Sequence, residues 1–186
     1  MKLVLMDSSS AILLYHAGIM EPFISTYPVG ITEAVQSELT AHGGSGATEF
    51  AEYIRRGHIT LVDTGRMAPN DNHGLSKLDH GEQTLIQALI DGAGRFIVID
   101  DKKGAQFLRA HDLPYINALL VPRILRAAGA LSPSMAENAF ICLKSRGRYA
   151  SWIIDYASSC PMYDLRFFMP HRKGYSTREK ISTSSG

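Results

Sequence analysis

Short runs of apolar residues alternate along the first two thirds of the chain with longer segments whose apolar residues recur at helical spacing. Uninterrupted apolar runs of this kind are typical of strands that are buried on both faces of a parallel sheet. The pattern therefore predicts an α/β fold, with helices on both faces of a mainly parallel sheet of about five strands. The predicted strands are residues 2–6, 29–31, 59–62, 95–99 and 114–116.

The segments between these strands carry helix start and stop signals. Thr32 is placed to cap a helix that ends before Gly43, and the next helix stops at Gly57. Apolar residues three and four positions apart between 82 and 92 predict a helix with one buried face. Pro122 follows the fifth strand and either strains the helix there or starts it afresh.

The alternation ends after residue 131, and the rest of the chain has a different pattern. Residues 132–160 predict two consecutive helices that are broken near Gly147, and Ser132 is placed to cap the first of them. Trp152 and Tyr156 are expected on the buried face of the second helix.

This change of pattern predicts the organisation of the chain. Residues 1–131 form the α/β domain, residues 132–160 form a C-terminal helical extension, and residues 161–186 form a flexible tail that is polar from residue 170 onward.

Charge and composition exclude several classes of protein. With 19 basic and 18 acidic residues the net charge is +1, so any binding of nucleic acid depends on local patches of charge. Cys142 and Cys160 are too few for a disulfide framework, which favours a reducing, cytoplasmic compartment. No apolar run approaches the roughly 18 to 20 residues that cross a bilayer. We therefore expect a soluble, cytoplasmic protein with no membrane partner.

Acidic residues gather where the predicted strands end. Asp7 follows the first strand, and Asp100 and Asp101 follow the fourth, so both places lie at the carboxyl edge of the sheet. Glu38 lies in a helix that begins at this edge, and Glu82 lies at the start of another helix. Any one of them could be a helix cap or a solvated acid. Together, however, converging carboxylates need protons or a cation, and Mg²⁺ and Mn²⁺ prefer oxygen ligands.

Four segments, in this order, resemble the PIN domain, the small α/β nuclease fold of VapC-type toxin ribonucleases: LVLMDSS, ITEAVQSEL, GEQTLIQAL and FIVIDDKKGAQFLRAHDLPYI. The resemblance covers roughly residues 1–131 and implies a three-layer α/β/α sandwich. It assigns catalytic, metal-binding roles to Asp7, Glu38, Glu82 and Asp100 or Asp101. It makes Ser9 a group that orients a ligand or water, for which the alternative is an ordinary helix N-cap.

The resemblance also implies an activity and partners. The activity is an Mg²⁺- or Mn²⁺-dependent ribonuclease, a phosphodiesterase that uses no protein nucleophile. As the toxin of a toxin–antitoxin pair, such a protein would bind an antitoxin protein and form a homodimer. Many relatives have a hydroxyl residue after the fifth strand, a place that either Asn117 or no residue takes here, and Asp79 is either an auxiliary acid or a solvated one. The candidate cations for RNA phosphates are Arg66, Lys77, Lys102, Lys103, Arg123, Arg126, Lys144, Arg146 and Arg148. Tyr15, Tyr149, Trp152 and Tyr156 could stack on bases, although a helix face buried in the core is the simpler interpretation of Trp152 and Tyr156.

Two other classes of protein share part of this pattern. A PIN-like domain that binds RNA or a protein without cutting it is the closer alternative, although such a module has no use for four mutually repelling acids. A phosphoacceptor signalling domain could use Asp63, but it also needs an acid pair after the first strand and a lysine after the fifth.

His73 and His80 have no companion His or Cys at the spacing of a metal-binding motif. The glycine-rich nucleotide-binding motifs are absent from the sequence.

Overall fold

A computed structural model describes residues 2–64 and 75–170 of the chain. Its five strands form one sheet, in the order β3-β2-β1-β4-β5, and every neighbouring pair is parallel. The prediction of an α/β fold with a five-stranded parallel sheet is confirmed. The strands are β1 (Leu3–Met6), β2 (Val29–Ile31), β3 (Ile59–Leu61), β4 (Gly94–Val98) and β5 (Tyr115–Ile116).

The two central strands are buried almost completely. Leu5 and Met6 in β1 and Phe96 and Ile97 in β4 are all 0% exposed. Burial of one such side chain contributes roughly 1.5–3 kcal/mol relative to its exposure. Helices on both faces explain why these strands are continuous apolar runs, and each predicted strand agrees with the structure to within one residue at either end.

The helices lie where the pattern predicts them, with one addition. Thr32 is the N-cap of the third helix, and Pro122 lies at the start of the seventh, which begins afresh after a 3₁₀ turn at Ala118–Leu120. The addition is the second helix, which the sequence hides because Pro22 lies within it; proline is tolerated there because it falls in the first turn. The helices are α1 (Ser8–His16), α2 (Met20–Thr26), α3 (Glu33–Leu39), α4 (Ala47–Arg55), α5 (His80–Ile90), α6 (Lys102–Ala110), α7 (Val121–Ala127), α8 (Pro133–Arg146) and α9 (Ser151–Ser159).

The two helices of the extension pack on the domain through small and aliphatic residues. Helix α8 packs against α1 and α7, and Leu143 in its last turn is 0% exposed. In α9 the buried residue is Ala157, whereas Trp152 is 65% and Tyr156 is 44% exposed. The prediction that these two aromatic residues lie in the core is wrong, because α9 approaches the domain closely on its alanine side.

Residues 161–170 cross the amino-terminal edge of the sheet. The Tyr27 hydroxyl, just before β2, donates to the Phe168 carbonyl at 2.8 Å. Arg95 in β4 donates to the Met169 carbonyl at 2.9 Å, and its guanidinium lies 5.0 Å from the centre of the Phe167 ring. This segment therefore lies at the end of the sheet opposite the acidic edge. The rest of the predicted tail, together with Arg66 and His73, lies outside the described residues.

The order of the strands creates a crevice beside β1. The chain moves outward from β1 to β2 and β3 and then returns to place β4 on the other side of β1. In open parallel sheets, ligands bind beyond the carboxyl ends of the strands at such a reversal. The residues that follow β1 and β4 meet there, and the Asp7 amide donates to the Val98 carbonyl at 3.0 Å. Within the described residues, the helices are all too short or too polar to span a bilayer.

Candidate active site

Three carboxylates from separate segments meet at the crevice between β1 and β4. Asp7 directly follows β1, is the N-cap of α1 and is only 5% exposed. Asp100 follows β4 by two residues, and Glu38 lies in the last turn of α3. The charges of Glu38 and Asp100 both act on the Asp7 carboxyl group and raise its pKa. The structure thus brings together these three of the predicted site residues.

Three consecutive serines in the first turn of α1 each hold a different carboxylate. The distances are 2.5 Å from Ser8 Oγ to Glu38 Oε2 and 2.7 Å from Ser10 Oγ to Asp100 Oδ2. Asp7 Oδ2 accepts both the hydroxyl and the backbone N–H of Ser9, the latter at 3.1 Å. The N-cap interpretation of Ser9 is wrong, because Asp7 occupies the N-cap position of α1. One helical turn therefore orients acids from three parts of the chain.

Burial gives Asp7 an unusual acidity. Removal of its carboxyl group from water is the largest effect, and the charges of Glu38 and Asp100 add to it. The hydrogen bonds from Ser9 favour the ionised form but only partly offset burial, so the pKa of Asp7 rises to about 6. The ionised form of Asp7 is therefore poorly stabilised, because too little positive charge lies nearby to compensate for burial.

Asp100 accepts hydrogen bonds from three described residues, Ser10, Ala118 and Tyr149. The Ala118 amide lies 3.2 Å and 3.1 Å from its two carboxylate oxygens, and the Tyr149 hydroxyl donates to Oδ1 at 2.6 Å. Burial raises the pKa of Asp100 even though these donors and Ser10 favour its ionised form. Burial and the Asp100 charge also raise the pKa of Tyr149, so its hydroxyl stays a donor.

Glu82 and Asp101 form a second acidic pair beside the first group. Glu82 is 2% exposed, and the amides of Asp79 and Gly104 each donate to one of its oxygens at 3.2 Å. Burial and a hydrogen bond with Asp101 raise the pKa of Glu82 well above its usual range. Burial alone would also raise the pKa of Asp101, but that bond and the amides of Lys103 and Gly104 lower it. Glu82 is therefore the more basic member of the pair.

Two glycines let carboxylates approach the backbone closely. A Cβ atom at residue 104 would lie 2.7 Å from Glu82 Oε1, and one at residue 81 would lie 2.9 Å from Glu38 Oε1. Both distances are shorter than real Cβ contacts, so an alanine at residue 81 would push against Glu38, and one at residue 104 would push against Glu82 and against Ile99, whose Cδ1 would lie 2.4 Å away. The sequence gives no sign of this role, because both glycines are ordinary features of a helix start.

The other predicted site residues have mostly structural partners. Asp79 caps α5 and shares a capping box with Glu82, and Asp101 caps α6. Arg123 donates to the backbone carbonyls of Ala157 and Cys160, at 3.0 Å and 2.8 Å, and so fastens α9 to α7. Ser8 and Ser10 were not predicted, although the run of serines directly after Asp7 is a signal for them. Tyr149 was predicted only as a residue that could stack on bases, and nothing in the sequence marks its contact with Asp100.

The acids line one side of an open cleft of about 360 Å³. The described residues that line it are Asp7, Ser8, Ser9, Leu13, Asp79, Asp100, Asp101, Arg146, Gly147 and Arg148. Across residues 2–64 and 75–170, no three Asp, Glu, His or Cys side chains are grouped closely enough to hold a metal ion. The donor set nevertheless has the chemistry that a hard divalent cation prefers, because the raised pKa values of the Asp7 and Asp100 carboxylates indicate that their ionised forms lack stabilising positive charge. In addition, Asn117 Oδ1 is buried without a hydrogen-bond partner among the described residues.

Comparison with known proteins identifies the family. No curated protein matches the chain. A family model described as DUF3368, a PIN domain, matches residues 3–152, from β1 to the beginning of α9. The match covers most of the chain and includes the whole acidic crevice together with α8 and Tyr149. The protein therefore belongs to DUF3368, a family of PIN domains.

Proposed function

We propose that this protein is a metal-dependent ribonuclease, an endonuclease of the PIN family that uses Mg²⁺ or Mn²⁺. The observation that supports it best is the first turn of α1, where three serines hold carboxylates from β1, α3 and the segment after β4. A family of nucleases and a crevice where oxygen ligands converge around the buried Asp7 point to the same chemistry.

In this proposal Asp7, Glu38 and Asp100 hold the cation, and the Glu82–Asp101 pair lies next to them as a further source of ligands. A bound divalent ion would supply a Lewis acid that activates water and stabilises charge on the phosphate oxygens. Ser9 fixes the orientation of the Asp7 carboxylate through two hydrogen bonds. No side chain has to act as a nucleophile.

The alternative is a PIN domain that binds RNA or protein without cutting it. Such a module would gain nothing from a buried Asp7 whose ionisation is opposed by burial and by two neighbouring acids. Exposed acids or neutral side chains would form the same surface without this cost. The energetic conflict at Asp7 is therefore the reason to favour the enzyme.

An RNA-cleavage assay with matched variants tests the proposal. We expect the protein to cut RNA with Mg²⁺ or Mn²⁺ and to lose this activity in EDTA. Asp7→Asn and Glu38→Gln should each lose more than the about 10- to 100-fold that is typical for outer-shell partners of a metal. Glu33→Gln is the control, because Glu33 is an exposed acid in the first turn of the same helix. Equal activity of Asp7→Asn and the parent protein would refute the assignment.

The toxin role is a separate part of the proposal, and it makes its own prediction. A small DNA-binding protein encoded in the neighbouring reading frame should bind this protein and inhibit its ribonuclease activity. The homodimer that the resemblance implies is tested by the mass of the purified protein in solution. Without such a neighbour, the protein would be a ribonuclease that acts on its own.

A further inference from the structure

The helical extension reaches the acidic crevice at the end of α8. This helix ends at Arg146, and residues 146–148 line the same cleft as Asp7 and Asp100. The buried side chain of Leu143, one turn earlier, fixes the end of the helix against the domain. A segment outside the central α/β unit thus forms one wall of the candidate site.

Tyr149 connects this wall to the acids. Its hydroxyl donates to Asp100 Oδ1 at 2.6 Å, across 49 residues of sequence. Its ring lies on Gly147, where a Cβ atom would be only 2.1 Å from a ring carbon. The backbone at Gly147 has φ −81°, which any residue adopts, so the glycine is needed for the approach of the ring. The close approach of the ring to Gly147 thus allows the Tyr149 hydroxyl to reach Asp100.

Arg146 and Arg148 supply positive charge beside a wall of acids. Both side chains belong to exposed residues. Among the residues that the structure describes, the ion pairs are those of Glu52 with Arg55 and Arg56, so neither arginine of this turn is neutralised by a described acid. Guanidinium groups bind phosphate oxygens with two parallel hydrogen bonds. Two such groups would offset the repulsion between an acidic crevice and a phosphodiester.

We propose that the turn of residues 146–149, which we call the Arg-Tyr turn, completes the site: Arg146 and Arg148 bind the phosphodiester backbone of single-stranded RNA, and Tyr149 is a positioning residue for Asp100. The inference rests on the proposed ribonuclease function. It adds the side of the crevice on which the substrate lies and gives the extension a role in the reaction.

The arginines are tested by RNA binding without catalysis. A fluorescent single-stranded RNA is titrated with the full-length protein in EDTA at several salt concentrations. Arg146→Ala/Arg148→Ala should weaken binding and lower the slope of log affinity against log salt by about 1.4, since each phosphate contact on a single strand contributes about 0.7. The charge-matched control is Arg109→Ala/Arg166→Ala, which removes two exposed arginines that do not line the cleft.

The binding result separates this inference from the proposed function. If the parent protein cuts RNA but the Arg146→Ala/Arg148→Ala protein binds RNA with the same affinity and salt slope, the inference about the Arg-Tyr turn is wrong and the proposed ribonuclease function is kept. If the double variant loses binding as expected but the parent protein does not cleave RNA with Mg²⁺ or Mn²⁺, the proposed ribonuclease function is wrong and the inference that the arginines bind RNA is kept. Absence of binding by the parent protein also overturns the inference.

Tyr149 is tested by steady-state kinetics. Tyr149→Phe keeps the ring and removes the donor, so kcat should fall by about 10- to 100-fold while KM is unchanged. Gly147→Ala should have the same effect, because the new methyl group displaces the ring. Tyr163→Phe is the control, since Tyr163 is 67% exposed. An unchanged kcat in Tyr149→Phe, or a rise in KM alone, would refute the positioning role.

Discussion

Burial of Asp7 costs the protein stability whenever its carboxyl group is ionised. Its pKa rises from an ordinary value of 3.8 to about 6, so the folded state binds a proton more tightly than the unfolded state between these values. Stability is therefore highest at low pH for this group and is lost as the pH rises through 6. A bound cation would restore it by stabilising the ionised form.

Asp7→Asn should consequently stabilise the protein in the absence of metal. At pH 8 in EDTA we expect its free energy of unfolding to exceed that of the parent by about 2 to 3 kcal/mol, since one pKa unit corresponds to about 1.4 kcal/mol. Asparagine retains the N-cap and an oxygen that accepts from Ser9. The difference should shrink as the pH is lowered to 5. Urea unfolding at both pH values measures it, and a variant that is less stable than the parent at pH 8 would contradict this view of Asp7.

At the scale of elements, the first turn of α1 has two structural roles. Its backbone donors begin the helix that covers β1, and its three hydroxyl groups orient three acids. Ser10 is 0% exposed and its hydroxyl donates to Asp100, so the hydroxyl cannot form a hydrogen bond with solvent instead. A small side chain without the oxygen would leave Asp100 with its bonds from Ala118 and Tyr149.

Ser10→Ala should therefore reduce ribonuclease activity without unfolding the protein. We expect a loss of about 10- to 100-fold in kcat/KM, the usual effect of removing a partner that orients a metal ligand. The control is Ser37→Ala, because Ser37 is exposed and its hydroxyl donates to a carbonyl of its own helix. Full activity in Ser10→Ala would mean that Asp100 does not need this donor.

The elements themselves could be predicted because burial on both faces leaves a direct pattern in the sequence. The strands and most of the helices follow from apolar runs, caps and breakers, and Pro122 restarts its helix as expected. Helix α2 was hidden because Pro22 reads as a breaker, although it is harmless in a first turn. In α9 the order of apolar residues did not reveal which side approaches the domain, so Trp152 and Tyr156 were assigned to the wrong side.

The site could be predicted only in part, for a physical reason. The carboxyl edge of a parallel sheet gathers acids whatever their partners, so Asp7 and Asp100 could be placed from the order of strands. Which of Asp100 and Asp101 joins the acids held by the first turn of α1 depends on contacts with Ala118 and Tyr149, far away in sequence. Contacts between residues so far apart in the sequence leave no local pattern. The same holds for the hydrogen bond that Ser8 donates to Glu38.

On the scale of the whole molecule, the extension shares its core with the α/β domain. Leu143 of α8 and Ala157 of α9 belong to the same continuous cluster of buried residues as the central strands. Arg123 adds hydrogen bonds between α7 and the end of α9. We therefore expect residues 2–64 and 75–170 to unfold together. Any loss of packing in α8 should then lower the unfolding free energy of the whole fold.

Leu143→Ala tests this expectation. Loss of a fully buried leucine should cost about 2–5 kcal/mol of unfolding free energy, whereas Ile141→Ala, at a position 55% exposed on the same helix, should cost little. Trp152, the single tryptophan, lies in α9 and reports on the extension by fluorescence, while circular dichroism reports on all helices. Both signals should change at the same urea concentration. Separate transitions would show that the extension folds independently.

The central claim is that the carboxylates at the crevice hold a divalent cation, and a calorimetric titration of Mn²⁺ into the purified protein tests it most directly. We expect the parent protein and the Glu33→Gln control to bind Mn²⁺ with the same affinity, and Asp7→Asn and Glu38→Gln to bind it at least about 10-fold more weakly. Equal Mn²⁺ affinity in the parent protein and Asp7→Asn, or no binding by the parent protein, would contradict the account.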